Sequence, residues 1–193
     1  MRDLDSLSAE EAFMSSLFFI AVVSGNRASE LANLDRSTVV FNEEQGSVSL
    51  AVVPSFLYKN QTSKRTPPRI KFPSLPDDKH LCPAQAVKRS LACSNPANHQ
   101  KLFLNPVTGS PLNSASVRFW MCKSINWLLP GAIPRAHDVR KNAFSMAWVC
   151  GFSEDEIMRQ GFWNSSPVFF RRYFNNIANN APFNFVAAGS ISG

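Results

Sequence analysis

The amino-acid sequence predicts a mainly α domain with a small three-stranded antiparallel sheet, an α+β arrangement, and three observations carry that prediction. Helical spacing with capping residues recurs through both ends of the chain. Strand-like texture is confined to one stretch, from Thr38 to Phe72. The length of 193 residues with 45% hydrophobic content suffices for one sizeable core.

Taken in order, Ser8-Ala9-Glu10-Glu11 has the form of a capping box, and Phe13, Leu17, Ile20 and Ala21 then share a face, which predicts a buried helix ending near Gly25. Arg27 to Leu34 resumes helical spacing, so Arg27 and Glu30, three apart, can meet. Thr38–Phe41, Ser47–Val53 and Arg69–Phe72 read as the three strands, the first two joined by a turn at Asn42 to Gly46. The loop before the last strand carries Lys59 and Lys64, whose long side chains on a hairpin tip can reach a ligand lying across the helices. Their ordinary alternative is solvent exposure.

Pro83 to Ala92 reads as a helix, followed by a loop, a short buried run at Lys101–Leu104 and a turn around Thr108–Pro111. Ser114 to Leu128 is another helix. Pro134 opens a further one to about Cys150, with Val139, Ala143, Ala147 and Cys150 on its packed side, His137 and Arg140 on a neighbouring face, and Gly151 as its stop. Short helices from Ser153 to about Arg159 and from Ser166 to Ile177 follow, each with serine at its N-cap. The domain is expected over residues 1–180, with 181–193 a C-terminal tail that is flexible or docks on a neighbouring subunit.

The formal net charge is +6 and the isoelectric point about 9.4, with basic residues gathered at 59–65, 88–89, 135–141 and 171–172. A polyanion partner is favoured over a merely solvated basic surface once motifs accompany the charge. Four cysteines lack C-x-x-C spacing and three histidines are scattered, so no metal site and no disulfide framework is expected. The most apolar run, Leu17 to Val23, is too short to span a membrane, and acidic residues precede it, the wrong flank for a secretory signal. The expectation is an intracellular protein with no membrane partner and no cofactor.

Tyr173 is one of only two tyrosines in a chain with sixteen phenylalanines, and it stands in Phe169-Phe170-Arg171-Arg172-Tyr173-Phe174, where another phenylalanine would pack as well. Upstream are His137-Asp138-Val139-Arg140, Gly161-Phe162-Trp163 and Gly25-Asn26-Arg27-Ala28-Ser29-Glu30-Leu31. Singly, each has an ordinary explanation: Arg27 pairs with Glu30, His137 is a satisfied semi-buried histidine, Trp163 belongs to the core, and Tyr173 caps a cluster of rings. Their joint order and two tight spacings, H-x-x-R on a helix and then G-F-W followed by a tyrosine, point elsewhere.

In these motifs the sequence resembles the tyrosine recombinases, from about residue 10 to 178. Arg27 looks like the family's first-box arginine with Glu30 its acidic neighbour, His137 and Arg140 like the second-box H-x-x-R, and Trp163 falls where members have His or Trp. Tyr173 falls at the nucleophile, ten positions after Trp163, whereas bacterial and phage members usually have nine. That extra residue, with Pro54–Gln61 and Leu81-Cys82-Pro83-Ala84, looks most like the recombinases of DIRS-type and related eukaryotic retroelements, which implies a mobile-element origin and a nuclear location. There Lys59 matches the family's sheet-loop lysine, with Lys64 the alternative. Family members usually carry an N-terminal helical domain that completes a clamp on DNA, and the catalytic half here begins almost at Met1.

The resemblance implies cleavage and rejoining of double-stranded DNA by a self-associating enzyme, and the residue types suit that chemistry. A phosphodiester transition state carries added negative charge, which two permanently charged, planar guanidiniums stabilise well. An indole N–H adds a donor, a near-neutral histidine exchanges protons, and a lysine can protonate the departing 5′ oxygen. Tyrosine attack conserves the bond energy in a 3′-phosphotyrosyl intermediate, so neither ATP nor metal is required. Three other readings stand beside this one, the first two being a type IB topoisomerase-like nicking and swivelling enzyme, which shares these roles, and a non-catalytic DNA-binding module left by a mobile element. A basic helical protein with no DNA role is the third.

Overall fold

The computed structural model describes residues 7–59, 61, 69–75, 77, 81–93 and 99–163. Among these residues six helices and three strands run in the order α1 (Ala9–Ser24), α2 (Ala28–Leu31), β1 (Leu34–Asn42), β2 (Ser47–Val52), β3 (Ile70–Pro73), α3 (Pro83–Cys93), α4 (Ser114–Leu128), α5 (Ala136–Val149) and α6 (Glu154–Gln160). The expected helix at 166–177, Tyr173, Lys64 and the tail lie outside the described residues.

Helix α1 is the central post. Ser8 caps it by accepting from Glu11 N (3.2 Å) while the Glu11 carboxylate takes Ser8 N (2.9 Å), a reciprocal capping box. It packs against α3, α4 and α5, and burial runs around its circumference from Ala12 to Leu17 instead of along one face. Ser15 and Ser16 are therefore buried with the apolar residues. Gly25 ends the helix in the left-handed region (φ 59°), its N–H returning to the Ala21 carbonyl at 2.9 Å.

The sheet is antiparallel in the order β1-β2-β3. Val48 opposite Phe72 and Leu50 opposite Ile70 turn one face into the core, while Lys71 and Ser49 pair on the other face. Strand β1 begins at Leu34, four residues before the sequence predicts. The polar run Asp35-Arg36-Ser37 hides this start, and a bulge between Asp35 and Val40 accommodates it. The Thr38 hydroxyl fills the bulge, accepting from Ala51 N (2.8 Å) and donating to the Asp35 carbonyl (2.7 Å). The buried Asp35 carboxylate is satisfied by Ser37 and by Gln100. Helix α2 is correspondingly only Ala28–Leu31, shorter than the predicted Arg27 to Leu34, because Leu34 is claimed by the sheet and its carbonyl accepts Leu102 N at 2.7 Å.

Helix α4 opens where expected, with Asn113 accepting from Ser116 N at 2.9 Å. Helix α5 opens two residues past Pro134, since Arg135 keeps an extended backbone and serves as N-cap. Its buried residues are Val139, Arg140, Phe144 and Ser145; of the predicted packed side Val139 is buried and Ala147 packs half-buried beside Phe144, Ala143 is half-buried, and Cys150 is exposed. The packed face takes in Arg140 because that side chain is drawn inward by polar partners that a hydrophobic pattern cannot register. Helix α6 is capped by Ser153 and Glu156 in a second reciprocal box. Among the described cysteines, Cys82, Cys122 and Cys150 are free thiols. No helix of the described residues is long and apolar enough to cross a membrane.

Candidate functional site

The turn after α1, helix α5 and the end of α6 meet around Glu30. Arg27 is the N-cap of α2 and Glu30 its third residue, a spacing that lets the carboxylate reach back to accept Arg27 N at 2.7 Å and Arg27 Nη1 at 2.6 Å. Glu30 is 2% exposed, and its second oxygen lies 4.0 Å from Arg140 Nη1. One buried carboxylate is thus shared by both arginines.

Arg140, itself 3% exposed, is held by backbone as well as by charge. Its Nη1 donates to the Gly25 carbonyl and its Nη2 to the Gly161 carbonyl, the latter at 2.6 Å. The guanidinium also lies 4.6 Å from the Trp163 ring centre and 5.0 Å from that of Phe144, and those two rings meet edge-on with centres 4.5 Å apart. A buried cation is costly unless paired, and here the pairing is assembled from three separate stretches of chain.

Two glycines make that assembly possible. A Cβ on Gly25 would sit 2.3 Å from Phe144 Cε2, and one on Gly161 would sit 2.1 Å from Trp163 Cζ3. Both glycines therefore let an aromatic ring close over the arginine whose N–H groups their carbonyls accept. Phe162 follows in the left-handed region (φ 54°), reversing the chain so that Trp163 folds back.

His137 stands exposed in the first turn of α5. Partial desolvation of its imidazole, then the positive Lys141 and Arg140, hold its pKa below the usual histidine value. Asp138 opposes them, and Arg27 adds to the lowering. Asp138 is bridged to Lys141 at 3.5 Å.

Lys59 is exposed beside Tyr58, which is 6% exposed and packs its ring on Phe162 with centres 5.2 Å apart. Burial and the Glu30 carboxylate push the Tyr58 phenol well above the ordinary tyrosine range, which leaves this residue unsuited to attack as a phenolate. The structure therefore gathers Arg27, Glu30, Arg140 and Trp163, sets His137 three residues before Arg140 in the first turn of α5, and brings the Lys59 loop against the turn at Phe162. Tyr173 and Lys64 fall outside the described residues. Sequence reasoning missed the Gly25 and Gly161 carbonyls, Phe144 and Tyr58; a glycine beside each arginine or tryptophan motif was the one visible signal. Among the described residues no group of His, Cys, Asp and Glu is arranged to hold a metal ion.

No protein-family model matches the chain, and no curated protein matches it by sequence. Solved structures do match it in fold. The XerH site-specific recombinase bound to difH substrate in a pre-cleavage complex superposes with a TM-score of 0.61 at 16% identity, over 86% of this chain and 44% of that one. The Tn1549 transposon integrase in complex with circular intermediate DNA gives 0.54 at 17% identity, over 89% of this chain and 63% of that one. The lambda integrase dimer bound to a COC′ core site gives 0.50 at 15% identity, over 86% and 57%. The chain spans less than half the length of the XerH recombinase it matches. With its helices around α1 and its three-stranded antiparallel sheet, the chain has the fold of the tyrosine recombinase catalytic domain.

Proposed function

We propose that this chain is the catalytic domain of a tyrosine recombinase that cuts and rejoins double-stranded DNA at specific sites. The observation that carries the reading is the convergence of Arg27, Arg140 and Trp163 on the single buried carboxylate of Glu30 and its surroundings, in a fold shared with recombinases. Arg27 and Arg140 supply fixed positive charge for the phosphate, and removal of one such preorganised group costs about 10² to 10³ in rate. His137, its pKa lowered, is neutral near pH 7 and able to accept a proton.

Tyr173 is assigned as the nucleophile. Its phenol gives its proton to His137 as the oxygen forms the bond to phosphorus, the 5′ oxygen departs with a proton from Lys59, and the 3′ phosphate stays on the tyrosine until a second DNA end reverses the step. Lys64 is the alternative donor. The reaction consumes no cofactor. Copies of the chain assemble on DNA, since recombination needs paired sites, and the spacing of Tyr173 from Trp163 supports an origin in a DIRS-type retroelement and action in a nucleus.

The competing reading, a DNA-binding module without chemistry, draws on the 3% exposure of Arg140. A nicked duplex whose short 5′-hydroxyl fragment diffuses away after cleavage separates the two. Wild type should leave a denaturant-resistant protein–DNA band that Tyr173→Phe abolishes while still binding DNA. Binding without any such band on cognate-like substrates favours the module.

A further inference from the structure

The segment Phe56-Leu57-Tyr58-Lys59 reverses the usual preference for burial: Leu57 is 73% exposed, whereas Tyr58 is 6% exposed. The Tyr58 ring sits between Phe56 (centres 5.4 Å apart) and Phe162 (5.2 Å). Its backbone is closed on itself, Tyr58 N donating to Gln61 Oε1 at 3.0 Å and Gln61 N donating to the Tyr58 carbonyl at 2.9 Å. Lys59 is the exposed residue that directly follows this anchor. On the far side of the contact, Phe162 is flanked by Gly161, whose carbonyl holds Arg140, and by Trp163, whose ring covers it.

A continuous path of contacts thus runs from the base of the Lys59 loop to the arginine centre, and Tyr58 is its link. We propose that Tyr58 is a positioning residue for Lys59, its ring locking the loop against Phe162 so that the lysine is held in register with Arg140 and Trp163. The proposal rests on the reading of Lys59 as proton donor to the leaving 5′ oxygen. A donor displaced by about 1 Å loses about 10²-fold in rate, so an anchor one residue away matters.

The experiment compares nicked duplexes with an ordinary phosphate and with a 5′-bridging sulfur, whose better leaving group needs little protonation. Tyr58→Leu should slow ordinary cleavage by about 10-fold to 10²-fold, should cleave the sulfur substrate at nearly the wild-type rate, and should be no slower when combined with Lys59→Ala than Lys59→Ala alone. Tyr58→Phe, which keeps the ring, should restore the rate, and Phe162→Leu should reproduce the defect from the other side. Equal slowing on both substrates, or multiplying effects in the double variant, overturns the proposal. Trypsin provides a readout independent of catalysis: cutting after Lys59 should accelerate about tenfold in Tyr58→Leu, measured well below the variant's melting temperature so that global unfolding does not contribute. If wild type cleaves neither substrate, the enzymatic reading fails, while an unchanged trypsin rate refutes the anchor itself.

Discussion

Glu30 closes on Arg27 twice, one carboxylate oxygen accepting the backbone N–H at 2.7 Å and the other the guanidinium at 2.6 Å. The same buried side chain reaches toward Arg140 at 4.0 Å. Removing it leaves two cations near each other without their shared anion. Glu30→Ala should therefore destabilise the fold by about 3 kcal/mol, measured by urea denaturation, and Glu30→Gln by less, because an amide oxygen still caps α2.

The glycines offer a graded comparison. Gly161→Ala places a methyl against the Trp163 ring at an ordinary φ of −75°, so its cost is steric, about 1 to 3 kcal/mol. Gly25→Ala adds left-handed strain to a clash with Phe144 and should cost more. Gly46→Ala, with φ 53° and nothing within 4 Å, should cost only about 1 kcal/mol. Chemical denaturation of the three variants should rank them Gly25, Gly161, Gly46. Tryptophan fluorescence should shift most for Gly161→Ala.

The imidazole of His137 should titrate by NMR below the ordinary value of 6.5. Because the folded pKa is depressed, the unfolded chain binds the proton more readily. This group's contribution is fully present above pH 6.5 and is lost as the pH falls through the lower folded value. His137→Gln should flatten that part of the stability profile, and Lys141→Ala should move the titration upward by removing the cation that repels the imidazolium most.

DNA binding should be dominated by phosphate contacts, given the net charge of +6. A salt titration should give a log–log slope of about −0.9 for each phosphate neutralised. Tyr173→Phe should leave that slope unchanged, because the phenol carries no charge at neutral pH.

Most element boundaries were legible because capping and turn chemistry is local. Ser8, Asn113 and Ser153 each sit beside the backbone N–H groups they accept, and the α4 limits read from the sequence coincide with those observed. The start of β1 was not legible, because Asp35, Arg36 and Ser37 look like a loop until Ser37 and Gln100 satisfy the buried carboxylate. The face of α5 was read only in part, for a related reason: Val139 and Ala147 pack as expected, but Arg140 was not expected to be buried. A helical pattern treats arginine as outward-facing, yet Arg140 is among the most buried residues of that helix.

The sequence alone determined the Arg27–Glu30 pairing, since a spacing of three across a helix start fixes both partners within one turn. It also determined where the chemistry-bearing types stand along the chain. Tertiary structure decided what Arg140 does. Its acceptors are the carbonyls of Gly25 and Gly161, 115 and 21 residues away, and a backbone oxygen is present at every residue, so no side-chain pattern can mark which two will be used. Only the packing of α1, α5 and α6, with rings closing over two glycines that have no Cβ to obstruct them, selects that pair.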